Sequence, residues 1–212
     1  MKKLFIPLSL SLLMFACSGQ NNNEATGEME SQEPIENQVE EEPENQALPM
    51  EYVEMITNKG TIVLELDPNA APVTVANFLA YTDEGFYDGT IYHRVISNFM
   101  IQGGGFTPDG ERKETKSPIE LESENGPPNL TGTIAMARTP APNSATSQFF
   151  INVADNDFLN FRPGNPGYAV FGRVIEGMEV VNEIRQVQTT VKNGMQDWPS
   201  DDVIIESVKR RQ

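Results

Sequence analysis

Residues 92–106 read YHRVISNFMIQGGGF, a stretch in which the only histidine of the chain stands next to an arginine. The short apolar runs at 91–96 and 99–102 predict two neighbouring strands. The three glycines that follow predict a bend or bulge where the second strand ends. Apolar residues beside an arginine indicate a binding site. They are also compatible with a surface arginine that pairs with a carboxylate.

The chain around this stretch is predicted to form one domain, from residue 51 to residue 212. Alternating apolar and polar residues at 52–56 and 61–66 predict a hairpin. Helical spacing of apolar residues predicts one helix that begins at Pro72 and ends at Gly85, and a second at 178–187. Further strands are expected at 133–137, 148–153, 169–175 and 202–208. These elements predict a mainly β fold, a closed or sandwiched sheet with two helices.

The first 16 residues are predicted to be a signal peptide. Lys2 and Lys3 precede an apolar run that ends at Phe15, shorter than the ~20 residues that a membrane-spanning helix requires. The segment ends at Ala16-Cys17, which resembles the lipobox of bacterial lipoproteins. Cleavage before Cys17 and lipidation of that cysteine are therefore expected, and would anchor the protein to the lipid bilayer. The alternative is an ordinary secretory signal with an incidental cysteine.

Residues 17–50 are predicted to be a solvated tether that carries the lipidated Cys17. Beyond that cysteine the segment is rich in Glu, Asn and Gln and contains no lysine, arginine or aromatic residue. Such a composition cannot bury enough apolar surface to offset the entropy lost on ordering. An acidic arm that binds a partner is the alternative. The net charge of −16 argues against nucleic-acid binding, which requires clustered lysine and arginine.

The composition also excludes several kinds of chemistry. One histidine and one cysteine cannot build a typical zinc site. The run Gly103-Gly104-Gly105 is not followed by Lys-Ser or Lys-Thr, so it is not a phosphate loop. Asp155-Asn156-Asp157 lacks the rest of a calcium loop and is interpreted as a turn. No metal or cofactor is expected, which leaves Arg94 and its apolar neighbours.

Several motifs, in order along the chain, resemble the cyclophilin signature. They are YHRVI at 92–96, FMIQGG at 99–104, GTIAMAR at 132–138, SQFFIN at 147–152 and YAVFG at 168–172. The similarity extends from about Tyr52 to near the C-terminus. It implies an eight-stranded antiparallel barrel with two α-helices. The activity that it implies is peptidyl-prolyl cis/trans isomerisation.

The resemblance further implies roles for individual residues. Arg94 matches the arginine that faces the prolyl amide of the substrate, and Gln102 matches the glutamine that supports it. The other substrate-binding positions that it implies are His93, Phe99, Met100, Ala137, Arg138, Gln148, Phe150, Phe158, Leu159 and Tyr168. Phe158 and Tyr168 stand where many members carry tryptophan and histidine, and in this the chain resembles other bacterial members.

Physical chemistry accounts for such a site independently. Rotation about an X–Pro bond breaks no covalent bond but meets a barrier of ~18–20 kcal/mol. A catalyst must therefore favour the twisted amide over both planar forms. We expect a monomeric, lipid-anchored isomerase that acts on proline-containing polypeptides at the periplasmic side of the bacterial cell envelope. The alternative is a non-catalytic chaperone or scaffold module that grips proline-containing segments.

Overall fold

The structure is a computed structural model that describes residues 47–211. The predicted signal peptide, Cys17 and the predicted tether up to residue 46 lie outside the described residues. Within residues 47–211, no helix has both the length and the apolar character needed to cross a membrane.

The described chain forms ten strands, two α-helices and one short 3₁₀ turn at Asp157–Leu159. The helices are α1 (Pro72–Asp83) and α2 (Met178–Ile184). The strands are β1 (Glu51–Thr57), β2 (Gly60–Leu66), β3 (Thr90–Ile96), β4 (Met100–Gly103), β5 (Thr133–Met136), β6 (Phe149–Asn152), β7 (Val170–Glu176), β8 (Thr189–Lys192), β9 (Met195–Pro199) and β10 (Ile204–Arg210).

Eight of these strands close into an antiparallel barrel in the order β1-β10-β3-β4-β6-β5-β7-β2. The predicted hairpin is β1 and β2, which pair from Glu51 with Leu66 to Thr57 with Gly60. Closure leaves no free sheet edge in the barrel. The predicted mainly β fold, with an eight-stranded barrel and two helices, is confirmed.

The hydrophobic core combines aliphatic side chains with a group of aromatic rings, to which α1 contributes Phe78. Phe78 of α1 lies 5.0 Å from the ring of Tyr87 and 5.6 Å from that of Phe149. The first turn of α1 has no side-chain cap of its own. The carboxylate of Glu122 accepts the free N–H groups of Val73 and Thr74, at 3.0 and 2.8 Å. This contact satisfies donors that a helix start otherwise leaves unpaired.

Two elements differ from the sequence prediction. Helix α2 ends at Ile184, although 178–187 was predicted as helical. The backbone N–H of Val187 bonds to the carbonyl of Ile184, so the chain leaves α2 through a tighter turn. The hairpin of β8 and β9 was not predicted. Its turn residues Asn193 and Gly194 both have positive φ, 55° and 77°, as the turn of a two-residue hairpin requires.

Candidate active site

The side chains of Arg94 and Gln102 lie on the outer face of the barrel. Alternation along β3 and β4 directs their neighbours Val95 and Ile101 into the core. Arg94 is paired with Gln102 across β3 and β4, and Gln102 with Phe150 across β4 and β6. The register of the barrel therefore places a guanidinium, an amide and an aromatic ring in one row on the outer surface.

This row borders a small cavity with a volume of about 120 Å³. An apolar cavity of ~150 Å³ can hold a benzene ring, so this one suits a single small ring. Met100, Phe150 and Leu159 are at most 8% exposed and form a closed apolar floor. The lining residues are Arg94, Phe99, Met100, Gln102, Ala137, Arg138, Phe150, Leu159 and Tyr168.

One wall of the cavity is held by Arg138 and Tyr168. The Arg138 guanidinium lies 4.5 Å from the centroid of the Tyr168 ring, and its Nε donates to the carbonyl of Gly167 at 2.8 Å. The Tyr168 ring meets Phe150 edge-on, at 5.6 Å. The cation and the ring therefore fix each other at the rim, and Arg138 does not extend freely into solvent.

A network of buried side-chain amides positions Phe99. The Asn156 amide nitrogen donates to the Phe99 carbonyl at 2.8 Å and to Asn152 Oδ1 at 2.7 Å. Asn152 in turn donates to Asn129 Oδ1 at 3.2 Å. These asparagines are at most 3% exposed, where a polar group requires partners. Sequence reasoning assigned none of them a role, because their spacing along the chain shows no common pattern.

Gln102 and Arg94 each have a polar partner. The Gln102 amide nitrogen donates to Gln148 Oε1 at 2.9 Å. This bond fixes the orientation of the Gln102 side chain.

The guanidinium of Arg94 makes an ion pair with Asp197 of β9, with 3.7 Å between Nε and Oδ2. Arg94 retains 42% of its side-chain exposure, so it can be reached from solvent. Asp197 was missed because the strand that carries it was missed.

A second cavity of about 280 Å³ adjoins the first and shares Gln102, Ala137 and Arg138 with it. Two residues that were predicted to bind substrate, His93 and Gln148, line this second cavity only. The remaining lining residues are Phe106, Arg112, Thr139, Ser144, Thr146 and Met195.

Phe158 lines neither cavity, although it was predicted to bind substrate. Its side chain is 57% exposed, and its ring stacks on Phe99 with 5.5 Å between the centroids. Phe158 therefore contacts the outer side of a lining residue. Within residues 47–211, no group of three or more His, Cys, Asp or Glu side chains is arranged to hold a metal ion.

His93 is buried in an aromatic cluster beside the second cavity. Its ring lies 4.6 Å from that of Phe106 and 6.0 Å from that of Trp198. Burial, with smaller contributions from the positive charges of Arg94 and Arg112, lowers the pKa of His93 from 6.5 to about 4. The imidazole is therefore neutral near pH 7, and it adds no charge to the site.

This low pKa predicts that the domain loses stability on acidification. The unfolded chain binds a proton at His93 near pH 6.5, whereas the folded chain resists it until about pH 4. The stability that the domain gains from keeping His93 neutral is therefore fully present above pH 6.5. It is lost as the pH falls from 6.5 towards 4. We expect the free energy of unfolding to fall by about 2 kcal/mol more between pH 7 and pH 5 than in a His93→Phe variant.

Urea unfolding of both proteins at several pH values measures this difference. The variant is the control, because it retains an aromatic ring among Phe106 and Trp198 and shares all the carboxylates that also titrate. Equal pH dependence in the two proteins would contradict the prediction.

Comparisons with known proteins find relatives over most of the chain. Residues 52–210 match the family model "Cyclophilin type peptidyl-prolyl cis-trans isomerase/CLD". Peptidyl-prolyl cis-trans isomerase cyp18 of Streptomyces antibioticus is 58% identical over 163 residues, which cover 76% of this chain and 98% of that protein. Peptidyl-prolyl cis-trans isomerase B of Escherichia coli K12 is 57% identical over 155 residues, 72% and 94% of the two chains.

Solved structures show the same fold. A cyclophilin type peptidyl-prolyl cis-trans isomerase of Cryptosporidium parvum superposes with a TM-score of 0.65 at 28% identity, over 77% of this chain and 99% of that one. Its structure in the presence of the dipeptide Ala-Pro gives 0.63 at 29% identity, over 76% and 99%. The chain thus belongs to the cyclophilin-type peptidyl-prolyl cis-trans isomerase family and is an enzyme of that class.

Proposed function

We propose that this protein isomerises X–Pro bonds of polypeptides in the bacterial cell envelope, and that Arg94 stabilises the twisted amide. The observation that carries the mechanism is the position of the Arg94 guanidinium, half-exposed at the edge of a cavity with a closed apolar floor. A cation and a ring-sized apolar cavity are the two components that selective binding of a twisted prolyl amide requires.

The proline ring of the substrate occupies the cavity above Met100, Phe150 and Leu159. When the amide twists, the nitrogen lone pair is no longer delocalised into the carbonyl and can accept a hydrogen bond. The cationic guanidinium of Arg94, which has donors and no acceptor, donates that bond. The apolar floor excludes water and strengthens the interaction. A hydrogen bond to a charged group contributes about 1.5–3 kcal/mol, and the contribution arises mainly in the transition state.

The neighbouring residues bind the rest of the substrate. Gln102 is oriented by its bond to Gln148 and lies opposite Arg94 in the register of β3 and β4. Ala137 and Arg138 line both cavities, so they contact the residues that precede proline. The neutral His93 makes the adjacent wall. The Cryptosporidium parvum structure determined in the presence of Ala-Pro supports a proline-containing substrate.

The experiment that tests this mechanism is NMR exchange spectroscopy on an Ala-Pro peptide, with the wild type and an Arg94→Ala variant. Acceleration by the wild type and its loss in the variant support the assignment of Arg94. If neither protein accelerates exchange and both bind the peptide, the chain is a non-catalytic binding module.

The envelope location rests on the N-terminal sequence. The charged and apolar run before Cys17 supports export, and lipidation of Cys17 would retain the domain at the membrane on the periplasmic side. We expect a Cys17→Ala variant, expressed in a bacterium, to leave the membrane fraction and appear in the soluble fraction. Fractionation and immunoblotting measure this change, with the wild type as control. Unchanged membrane retention of the variant would refute lipid anchoring.

A further inference from the structure

We propose that Asp197 is a positioning residue that holds the Arg94 guanidinium towards the proline cavity. This inference rests on the proposed role of Arg94. Asp197 contacts Arg94 through Nε, the inner nitrogen of the guanidinium. In the part of the chain that the structure describes, no second carboxylate forms an ion pair with Arg94. The contact at Nε leaves the outer nitrogens free to face a substrate.

The hairpin that carries Asp197 is fixed to the barrel beside the active site. The next residue, Trp198, is fully buried, and its ring packs 6.0 Å from His93 and 5.9 Å from Phe106. Lys192 of the opposite strand donates from Nζ to the Pro108 carbonyl at 3.0 Å. Burial of Trp198 beside His93 therefore fixes the neighbouring residue Asp197 close to β3, where its carboxylate contacts Arg94.

The backbone of Asp197 is itself unusual. Its φ is 61°, in the left-handed region that side chains other than glycine rarely adopt. Aspartate tolerates this conformation better than most residues do, and glycine adopts it without strain. Backbone strain of this kind is common at functional sites. Here it occurs at the residue whose carboxylate contacts the proposed catalytic arginine.

The expected effect follows from the strength of such contacts. An arginine that retains 42% of its exposure samples several rotamers. An exposed ion pair, such as that with Asp197, raises the population of the rotamer that faces the cavity only a few-fold. Arg94 donates chiefly to the twisted amide of the transition state. Loss of the preferred Arg94 rotamer should therefore lower kcat and leave KM unchanged.

The test compares Asp197→Asn with the wild type and with Asp201→Asn. Asp201 is an exposed acid in the segment after β9, so its replacement changes the net charge equally. We expect Asp197→Asn to lower kcat about two- to five-fold, with unchanged KM and unchanged Tm. Asp201→Asn should match the wild type. High salt should lower the wild-type kcat towards that of Asp197→Asn, because salt screens exposed charges. An Asp197→Asn variant as fast as the wild type, or faster, would overturn the proposal.

Two further variants keep the outcome unambiguous. Asp197→Gly fits the left-handed backbone, so it should also be slow without loss of Tm. In an Arg94→Ala background, Asp197→Asn should have no further effect, and an equal loss in both backgrounds would overturn the inference. If Arg94→Ala retains wild-type activity, the proposed catalytic role of Arg94, on which this inference rests, is wrong. If Arg94→Ala is slow and Asp197→Asn is not, only the role of Asp197 is wrong.

Discussion

An Arg94→Ala variant is expected to isomerise proline peptides about 100-fold more slowly than the wild type. The lost interaction is one charge-assisted hydrogen bond to the twisted amide, worth up to about 3 kcal/mol, and each 1.4 kcal/mol changes the rate ten-fold. The Tm should remain within a few degrees of the wild-type value. Arg94 is half-exposed, and an exposed ion pair such as that with Asp197 contributes little to stability. Exchange spectroscopy and thermal unfolding on the same samples measure both quantities.

Two further variants separate the charge of Arg94 from its shape. Arg94→Lys retains a cation but loses the planar arrangement of donors, so we expect an intermediate rate. Arg173→Ala removes an exposed arginine of β7 that pairs with Glu65 and lines neither cavity of the site. It should retain the wild-type rate. Wild-type activity of Arg94→Ala would show that the guanidinium is not the catalytic group.

Local patterns predicted a mainly β fold with two helices, and the resemblance to cyclophilins predicted the eight-stranded barrel and most of the cavity lining. Alternation in β3 and β4 distinguishes Val95 and Ile101, which face the core, from Arg94 and Gln102, which do not. The cyclophilin-like motifs then predicted residues that converge although they lie far apart in the chain, such as Met100 and Leu159. The convergence itself could not be derived from alternation, which assigns a face to a residue but does not identify the partner strand.

The hairpin that carries Asp197 shows where such reasoning failed. The Asn193-Gly194 turn was readable, since this pair is a strong hairpin signal. The flanking strands are short, and β8 is mostly exposed, so neither has the apolar alternation of a barrel strand. The hairpin is fixed by a tertiary contact, the burial of Trp198 against His93 and Phe106. A single buried tryptophan in a polar segment does not identify its partners from sequence.

Gly104, the second of the three glycines in the opening stretch, predicts a large effect on stability. Gly104 follows β4 directly and has a φ of 78°. A Cβ at this position would lie 2.8 Å from the Phe149 ring and 2.9 Å from the Tyr87 ring, both fully buried. A Gly104→Ala variant should therefore lose about 2–5 kcal/mol of unfolding free energy, from backbone strain and overpacking together. Phe149 precedes Phe150 of the cavity floor, so we also expect slower isomerisation.

Gly89→Ala is the matched control for this prediction. Gly89 has nearly the same φ, 75°, but no heavy atom lies within 4 Å of the position of an added Cβ. Its backbone N–H donates to Ile205, a bond that alanine can retain. The control should therefore lose only the backbone contribution, about 1–2 kcal/mol. Urea unfolding of both variants measures the difference, which is the cost of displacing the two rings. Equal losses would mean that the rings yield freely and that backbone conformation alone requires glycine at position 104.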